Sequence, residues 1–438
     1  MPVAPLKQRE IAVSREASFG AGADFDAITN GGKFYATEIS AELVEPKTEN
    51  ENLRVRASDK FAGIFMPKTA ALSFSTYHYG TSLNALDQAQ AARLVRDELL
   101  LNALQGETRT YRAALSGGTV LVPTVEDGAG SDLQPAHSWG FFYDTTAGVG
   151  YARKIETVTV PGGGTDNSLV MRAGHDLPFD PVGGGVMHAT CTHFPHWDLL
   201  EDHTAAQVTS SFFVRGKHPA HLHEVQGVRL GVEVGEISAG TPSMLMYEGV
   251  GVDFTNPERY VAGHPDPLTV PTLAGTPEGL PPSVPGRGTA TRCFIADVGA
   301  TLATQQFWGS INVSLGIAPD PSEGPNGRNG VHGFGVTAES YDGGGVELMV
   351  PREAYWKRNY RDESEKHMLI QIGDQPSNTW WVYFPRLSFR SEPTDGDHRG
   401  RDAYSLAFDA LEPNIDVSAL TTAAGHRARA KFEIGRVG

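Results

Sequence analysis

The feature that most constrains the fold is a strand-like run near the end of the chain. Trp380 to Phe389, WWVYFPRLSF, is rich in aromatic and β-branched residues. A polar, glycine-containing connection, EPTDGDHRGRD, separates it from a second alternating run, Ala403 to Phe408. Two such runs joined in this way predict a pair of antiparallel strands.

The same pattern occurs about one domain earlier in the chain. Val225 to Tyr247, VQGVRLGVEVGEISAGTPSMLMY, reads as two strands around a Gly- and Pro-containing turn. An Arg-Leu pair opens the first strand each time, Arg229-Leu230 here and Arg386-Leu387 near the end of the chain. Residues 69–79 read as a strand followed by a helix over 85–104, and residues 345–350 precede a helix over 352–363. Two readings stay open: internal duplication, or chance recurrence of a common strand–helix–hairpin order.

The first predicted helix has an apolar stripe with charged residues around it. Its apolar positions are Ala91, Leu94, Val95, Leu101 and Leu104, and its charged positions are Arg93, Arg96, Asp97 and Glu98. This spacing predicts a helix packed on a sheet by one face.

Proline and glycine mark the boundaries. Eight prolines between Pro257 and Pro285 predict an extended linker over 257–288, because proline lacks an amide donor. The linker divides the chain into a first domain, 1–256, and a second, 289–438. The first domain carries extra sequence over 106–205, which includes an unexplained glycine-rich stretch at 125–190. Residues 317–333, dense in Gly, Pro and Asn, predict a long loop.

The chain resembles the tail tube (major tail) proteins of long-tailed bacteriophages. The likeness lies in the opening IAVSREASFG, in the strand, polar loop and strand of residues 38–79, and in the helix LVRDELLLNALQG. It continues through SSFFVRGKHPAHLHEVQGVRLGVEVGEISAGTPSMLMYEGVGVDF and through residues 293–411. It is a pattern of strands, loops and lengths, without a catalytic signature.

This resemblance implies a mainly β fold: a tail-tube-type β-sandwich or barrel with a flanking α-helix, present as two related units in one chain. It implies sheets joined edge to edge between subunits, stacked rings, and a lumen through which DNA passes at ejection without specific binding. The partners would be further copies of the chain and other phage tail proteins, in a virion assembled in the host cytoplasm. A trimeric ring with pseudo-sixfold symmetry is favoured over a hexamer, because each chain would supply two units.

Two groups of residues are candidates for roles in such a tube. The polar loop at 45–66 mixes both charge signs and is expected to order between stacked rings. Its charged members are Glu45, Lys47, Glu49, Glu51, Arg54, Arg56, Asp59 and Lys60. The acidic candidates for the lumen are Glu233, Glu236 and Glu392.

Composition limits the alternatives. The net charge is −16, from 52 acidic and 36 basic residues, which disfavours binding to nucleic acid through phosphates. The two cysteines, Cys191 and Cys293, are too few for a disulfide scaffold, and the N-terminus lacks the apolar core of a signal peptide. No run is apolar enough to predict a membrane span.

No cofactor, metal or catalytic residue is expected. His188, Cys191, His193 and His196 could place ligands on a metal ion, but they lack a second ligand pair of matching spacing. A β-sandwich carbohydrate-binding or adhesion protein, or another virion surface protein, is the alternative, as is an enzyme with an unrecognised site. Sugar-stacking candidates for that alternative are Trp139, Phe141, Phe142, Tyr143, Trp380 and Trp381.

Overall fold

The fold is known from a computed structural model. It describes residues 11–21, 30–44, 47–48, 64–65, 69–81, 94–126, 135–159, 166–181, 186–189, 191–196, 207–215, 222–255, 278–282, 290–302, 304–305, 310–317, 319–328, 331–335, 344–376, 378–398, 400–414 and 423–437.

The part of the chain that the structure describes is mainly β, with 60% of its residues in strands and 9% in helices, which confirms the predicted fold class at this level. The strands before residue 200 are β1 (Ile11–Arg15), β2 (Gly31–Phe34), β3 (Thr37–Val44), β4 (Lys47–Thr48), β5 (Ile64–Phe65), β6 (Thr69–Tyr77), β7 (Tyr79–Thr81), β8 (Thr108–Thr110), β9 (Ala113–Gly118), β10 (Pro123–Glu126), β11 (Trp139–Asp144), β12 (Val149–Thr159), β13 (Asp166–Met171), β14 (Val186–Ala189) and β15 (Cys191–Pro195).

The later strands are β16 (Ser210–Arg215), β17 (Leu222–Ile237), β18 (Met244–Gly251), β19 (Asp253–Thr255), β20 (Glu278–Pro282), β21 (Thr291–Asp297), β22 (Thr304–Gln305), β23 (Ile311–Ser314), β24 (Asp320–Arg328), β25 (Val331–Gly335), β26 (Gly345–Pro351), β27 (Lys366–Ile372), β28 (Trp380–Phe389), β29 (Thr394–His398), β30 (Arg401–Ala410) and β31 (Glu433–Val437). The helices are α1 (Val95–Leu104), α2 (Ala354–Arg361) and α3 (Ala423–Arg429).

A large antiparallel sheet and a small closed barrel organise these strands. Among the described residues, the sheet has 19 strands drawn from both ends of the chain, and the barrel has the strand order β10-β13-β12-β11-β14-β9. One apolar core follows the sheet from Ile11 to Ile434 and includes the apolar side of α1. Burying this surface is the main driving force for joining the two parts of the chain.

The barrel is the extra sequence predicted at 106–205. Its strands lie between Ala113 and Ala189, so the glycine-rich stretch at 125–190 supplies most of the barrel. The chain enters and leaves it through an antiparallel pair, β8 and β15, which belongs to the large sheet. β15 also pairs with β31 at the C-terminus. The insertion therefore has a two-stranded stem that is attached to the last strand of the chain.

The barrel packs on the second half of the chain. Trp139 from the barrel meets the rings of Trp381 and Tyr383, with ring centroids 5.5 Å and 5.1 Å apart. At Gly150 in β12, an added Cβ would lie 3.0 Å from the carbonyl oxygen of Asp374 in the second half and 2.1 Å from the ring of Phe141 in the barrel itself. This contact leaves no room for a side chain, so glycine is required there by packing.

Two charged residues of α1 lie inside the protein. Asp97 and Glu98, which the sequence places among the charged positions around the apolar stripe, are fully buried. Asp97 accepts hydrogen bonds from the guanidinium of Arg436, with Nη2 at 2.7 Å, and Glu98 lies 2.7 Å from Arg15 Nη2. These charges can be buried because arginines from β1 and β31 cover this side of the helix and pair with its carboxylates. The helix begins at Val95, and the predicted residues 85–93 lie outside the described part.

The loop predicted at 317–333 is also different. Residues Asp320–Arg328 and Val331–Gly335 form the antiparallel pair β24–β25, with register shifts inside it. Proline and glycine misled the prediction, because both occur in strands at edges and bulges. Within the predicted linker, Glu278–Pro282 forms β20, which pairs with β7; the rest of the linker lies outside the described residues.

Candidate assembly interface

The two halves of the large sheet contain matching sets of strand pairs. The first half has the antiparallel pairs β2–β1, β1–β16, β16–β17, β17–β18, β18–β6 and β6–β3. The second half has β22–β21, β21–β27, β27–β28, β28–β30, β30–β26 and β26–β23 in the same order. In this order β26 is the counterpart of β6, and each of these two strands is followed by a helix, α1 after β6 and α2 after β26.

The match extends to the register. β16 and β17 shift register after Ser210, which lies opposite Val228, and β27 and β28 shift after Lys366, which lies opposite Leu387. Val228 and Leu387 thus hold equivalent places in the two halves. A bulge at the same place in both pairs is a specific feature, since bulges are positioned features of a fold.

The halves are joined edge to edge by β17 and β23. Val234 lies opposite Val313, and Ile237 lies opposite Ile311, with a register shift between the two positions. All four side chains are buried. The joint therefore combines strand pairing with an apolar contact, and it makes one continuous sheet from two parts of the chain.

Glu233 binds across this joint. Its carboxylate accepts hydrogen bonds from the backbone N–H groups of Leu315, at 2.9 Å, and Gly316, at 3.1 Å. The hydroxyl of Ser314 lies 3.4 Å from Oε1. Burial raises the pKa of Glu233, while these donors oppose the shift. Of the lumen candidates, Glu233 is thus half-buried within the joint, whereas Glu236 and Glu392 are exposed.

We expect Glu233→Gln to loosen the joint locally. The amide group can accept only one of the two backbone N–H groups through its oxygen, and the loss of a charge-assisted pair costs about 1–3 kcal/mol. Hydrogen exchange of the Leu315 and Gly316 amides should accelerate. Glu236→Gln, on an exposed residue of the same strand, is the matched control and should leave these amides unchanged. Equal exchange in both variants would argue against this role.

The predicted stacking loop lies mostly outside the described residues. Its two ends are described: Lys47–Thr48 pairs with Ile64–Phe65 as the two-stranded sheet β4–β5. The candidates Glu45, Glu49, Glu51, Arg54, Arg56, Asp59 and Lys60 all lie outside the described part, and only the backbone of Lys47 is placed. The loop therefore starts and ends at a strand pair that follows directly on β3.

The histidine-rich segment is part of the core. His188 is in β14 and Cys191, His193 and His196 are in or next to β15, and all four are buried. Cys191 Sγ lies 2.8 Å from Thr110 Oγ1. Within the described residues there is no group of three His, Cys, Asp or Glu side chains placed to hold a metal ion.

The aromatic candidates for sugar stacking lie inside the protein. Trp139, Phe141, Phe142, Trp380 and Trp381 are buried, and Tyr143 is half-buried. Helices of the described ranges are too short or too polar to cross a bilayer. Protein-family models and curated proteins give no match to this chain.

Proposed function

We propose that this protein is a structural virion protein that polymerises into stacked rings and so builds a phage tail tube, a conduit for DNA ejection. The observation that carries the proposal is the β17–β23 joint. One chain already contains two similarly paired half-sheets joined through strand edges, which is the kind of contact a ring of such sheets repeats. Proteins that remain monomeric usually protect such edges.

The repeated pairings support two related tail-tube-type units in each chain. Six antiparallel pairs recur in the same order, with a bulge at the same position. The barrel then is an insertion into the first unit, since its stem leaves the sheet after α1 and returns before β16. Three chains supply six units, so the ring is a trimer with pseudo-sixfold symmetry.

The charge of the chain suits a conduit. Duplex DNA carries about one negative charge per 1.7 Å, and a basic wall would hold it by phosphate contacts. With 52 acidic and 36 basic residues, the protein can present an acidic lumen. Glu236 and Glu392 are exposed in the single chain and remain the candidates for this surface. The buried aromatic residues favour this function over a sugar-binding one.

Electron microscopy of the purified protein tests the proposal. Averaged end-on views should show rings with six similar lobes, and native mass spectrometry should give three chains per ring. Longer particles should be tubes of such rings. A monomer, or a compact closed oligomer without a central channel, would contradict the proposed function. Six chains per ring would retain the tube but reject the two-unit ring.

Deleting Asn50 to Ser58 should separate ring formation from stacking. The deleted segment is polar and lies within the 45–66 loop, beyond the described β3. The large sheet keeps its strands, so we expect a folded protein that forms rings and no tubes. Sedimentation and microscopy measure this directly. Tubes of normal length from the deletion variant would reject the stacking role.

A further inference from the structure

We infer that the ring closes by pairing of β29 of one chain with β3 of the next chain, with Thr394 opposite Glu42. This inference rests on the proposed function and identifies the two edges that form the contact between chains. Its partner is a second copy of the same chain. The argument uses the β17–β23 joint inside the chain as the template for the joint between chains.

The two strands lie at corresponding edges. Among the described strands, β3 is paired along one side, with β6, and β29 is paired along one side, with β30. β23, the counterpart of β3, has β26 on one side and β17 on the other. No described strand of the same chain pairs with β3 in the way that β17 pairs with β23, and we infer that a strand of the next chain takes this place.

β29 corresponds to the end of β17 that forms the internal joint. The residue numbers of Leu245 on β18 and Tyr404 on β30 differ by the same amount as those of Val228 and Leu387 at the two bulges. Leu245 and Tyr404 therefore hold equivalent places in the two halves. Leu245 lies opposite Val234, and Tyr404 lies opposite Asp395. Asp395 therefore takes the place of Val234.

Thr394 then takes the place of Glu233, the residue that binds across the internal joint. Glu233 is next to Val234, as Thr394 is next to Asp395, and it faces Ser314 at 3.4 Å. The side chain of Thr394 is exposed in the single chain, so this edge position is accessible to a partner.

The opposite edge follows from the pairing of β3. Ala41 lies opposite Leu72 on β6, as Val313 lies opposite Val346 on β26. Leu72 in turn lies opposite Gly249 of β18, and Val346 lies opposite Phe408 of β30. The residue numbers of Gly249 and Phe408 differ by the same amount as those of Leu245 and Tyr404. Ala41 therefore matches Val313.

The next residue along β3, Glu42, matches Ser314, the partner of Glu233. The side chains of Glu42 and Ser314 are both exposed in the single chain. The repeated joint thus puts Thr394 of one chain opposite Glu42 of the next. Since side chains along a strand alternate between faces with a period of two, a slip by one residue would place them on different faces.

Electrostatics permit this contact. Asp395, next to Thr394, has compensating charges within its own chain, with Arg352 Nη2 at 3.4 Å and Lys357 Nζ at 3.8 Å. Because these cations come from α2 and the segment before it, pairing of β29 does not bring an uncompensated Asp395 carboxylate toward the acidic β3 edge.

Disulfide cross-linking tests the register. Directly opposite residues in an antiparallel pair have Cβ atoms about 4.5–5.5 Å apart, near the range that a disulfide needs. The native cysteines suit the experiment, since Cys191 and Cys293 are buried and burial raises the pKa of each to about 12. The variant is Thr394→Cys with Glu42→Cys.

Mild oxidation of assembled rings should convert most chains of this variant to covalent dimers and trimers on a non-reducing gel. Mixing the two single variants before assembly should give dimers only. The matched control is Thr394→Cys with Glu38→Cys, which moves one thiol four residues, roughly 13 Å, along the same strand. It should cross-link at least tenfold less.

The outcomes separate the two proposals. Rings of three chains that cross-link no more than the control would overturn this register while leaving the proposed function intact. Absence of rings from the wild-type chain would overturn both. Efficient cross-linking of the control pair, and not of the test pair, would also overturn the register.

Discussion

Replacing Glu433 with leucine will destabilise the attachment of the barrel by about 3–5 kcal/mol, because it leaves a buried charge without a partner. Glu433 and Lys154 form an ion pair in which both side chains are 0% exposed. Trp139 Nε1 donates a second hydrogen bond to Glu433 at 2.5 Å, and Lys154 also donates to the carbonyl of Arg427 at 3.2 Å.

The reason is that this pair lies where the barrel meets the C-terminal strand. Lys154 belongs to β12 of the barrel and Glu433 to β31. Burial lowers the pKa of Lys154, and the charge of Glu433 opposes that shift. Without Glu433, the ammonium must either lose its proton or remain charged among Trp139 and Tyr383, and both cost free energy.

The midpoint of denaturant unfolding, followed by tryptophan fluorescence, measures the loss. The double variant Lys154→Met with Glu433→Leu should recover most of it, because a buried ion pair can be replaced by apolar side chains of similar volume. Glu365→Gln is the control: it breaks a pair with Arg386 that is partly exposed and should cost at most about 1 kcal/mol. If the single and double variants are equally destabilised, the charge explanation fails.

Strands were predictable from sequence where their alternation or composition was strong. The aromatic run Trp380–Phe389 coincides with β28, and residues 69–77 of the predicted early strand form β6. The repeated sequence pattern, however, matched Arg229 with Arg386, whereas the strand pairings of the two halves match Arg229 with Ser388. A pattern of residue types cannot resolve such a shift, because the pairing register depends on bulges and tertiary contacts.

The joint and the buried charges were not predictable for a different reason. Val234 and Val313 are brought together across the linker region, and neither has a local signal that names its partner. Asp97 and Lys154 look like surface residues in sequence, since charged side chains are rarely buried unless paired. Their partners, Arg436 and Glu433, come from the last strand of the chain. The glycine-rich barrel lacked the long alternating runs that reveal strands.

Acid will destabilise the protein between about pH 6.5 and pH 4 through its buried histidines. Burial lowers the pKa of His188 to about 4, of His196 to about 3 and of His367 to about 4. In the unfolded chain these groups take up protons near pH 6.5. The unfolded state therefore binds more protons than the folded state in this window, and the free energy of unfolding falls as the pH falls.

Within the window, each such histidine lowers the free energy of unfolding by about 1.4 kcal/mol for every pH unit of acidification. The three together therefore give a slope of about 4 kcal/mol per pH unit. Above about pH 7.5 their contribution is constant. Below about pH 4, His188 and His367 become protonated in the folded state and their part of the slope ends. Urea unfolding at a series of pH values measures the slope, to which titrating carboxylates add their own part.

The variant His188→Asn isolates one histidine from that background. His188 Nδ1 lies 3.1 Å from the carbonyl oxygen of Tyr111, and the asparagine amide keeps a donor near the same position. The ring contact with Phe142, at 5.1 Å, is lost, which should lower stability at every pH. Relative to the wild type, the variant should lose less stability on acidification, by about 1.4 kcal/mol per pH unit between about pH 6 and pH 4.5. Parallel pH profiles for the two proteins would show that His188 is not held unprotonated by its surroundings, and the acid sensitivity would then have to come from other titrating groups.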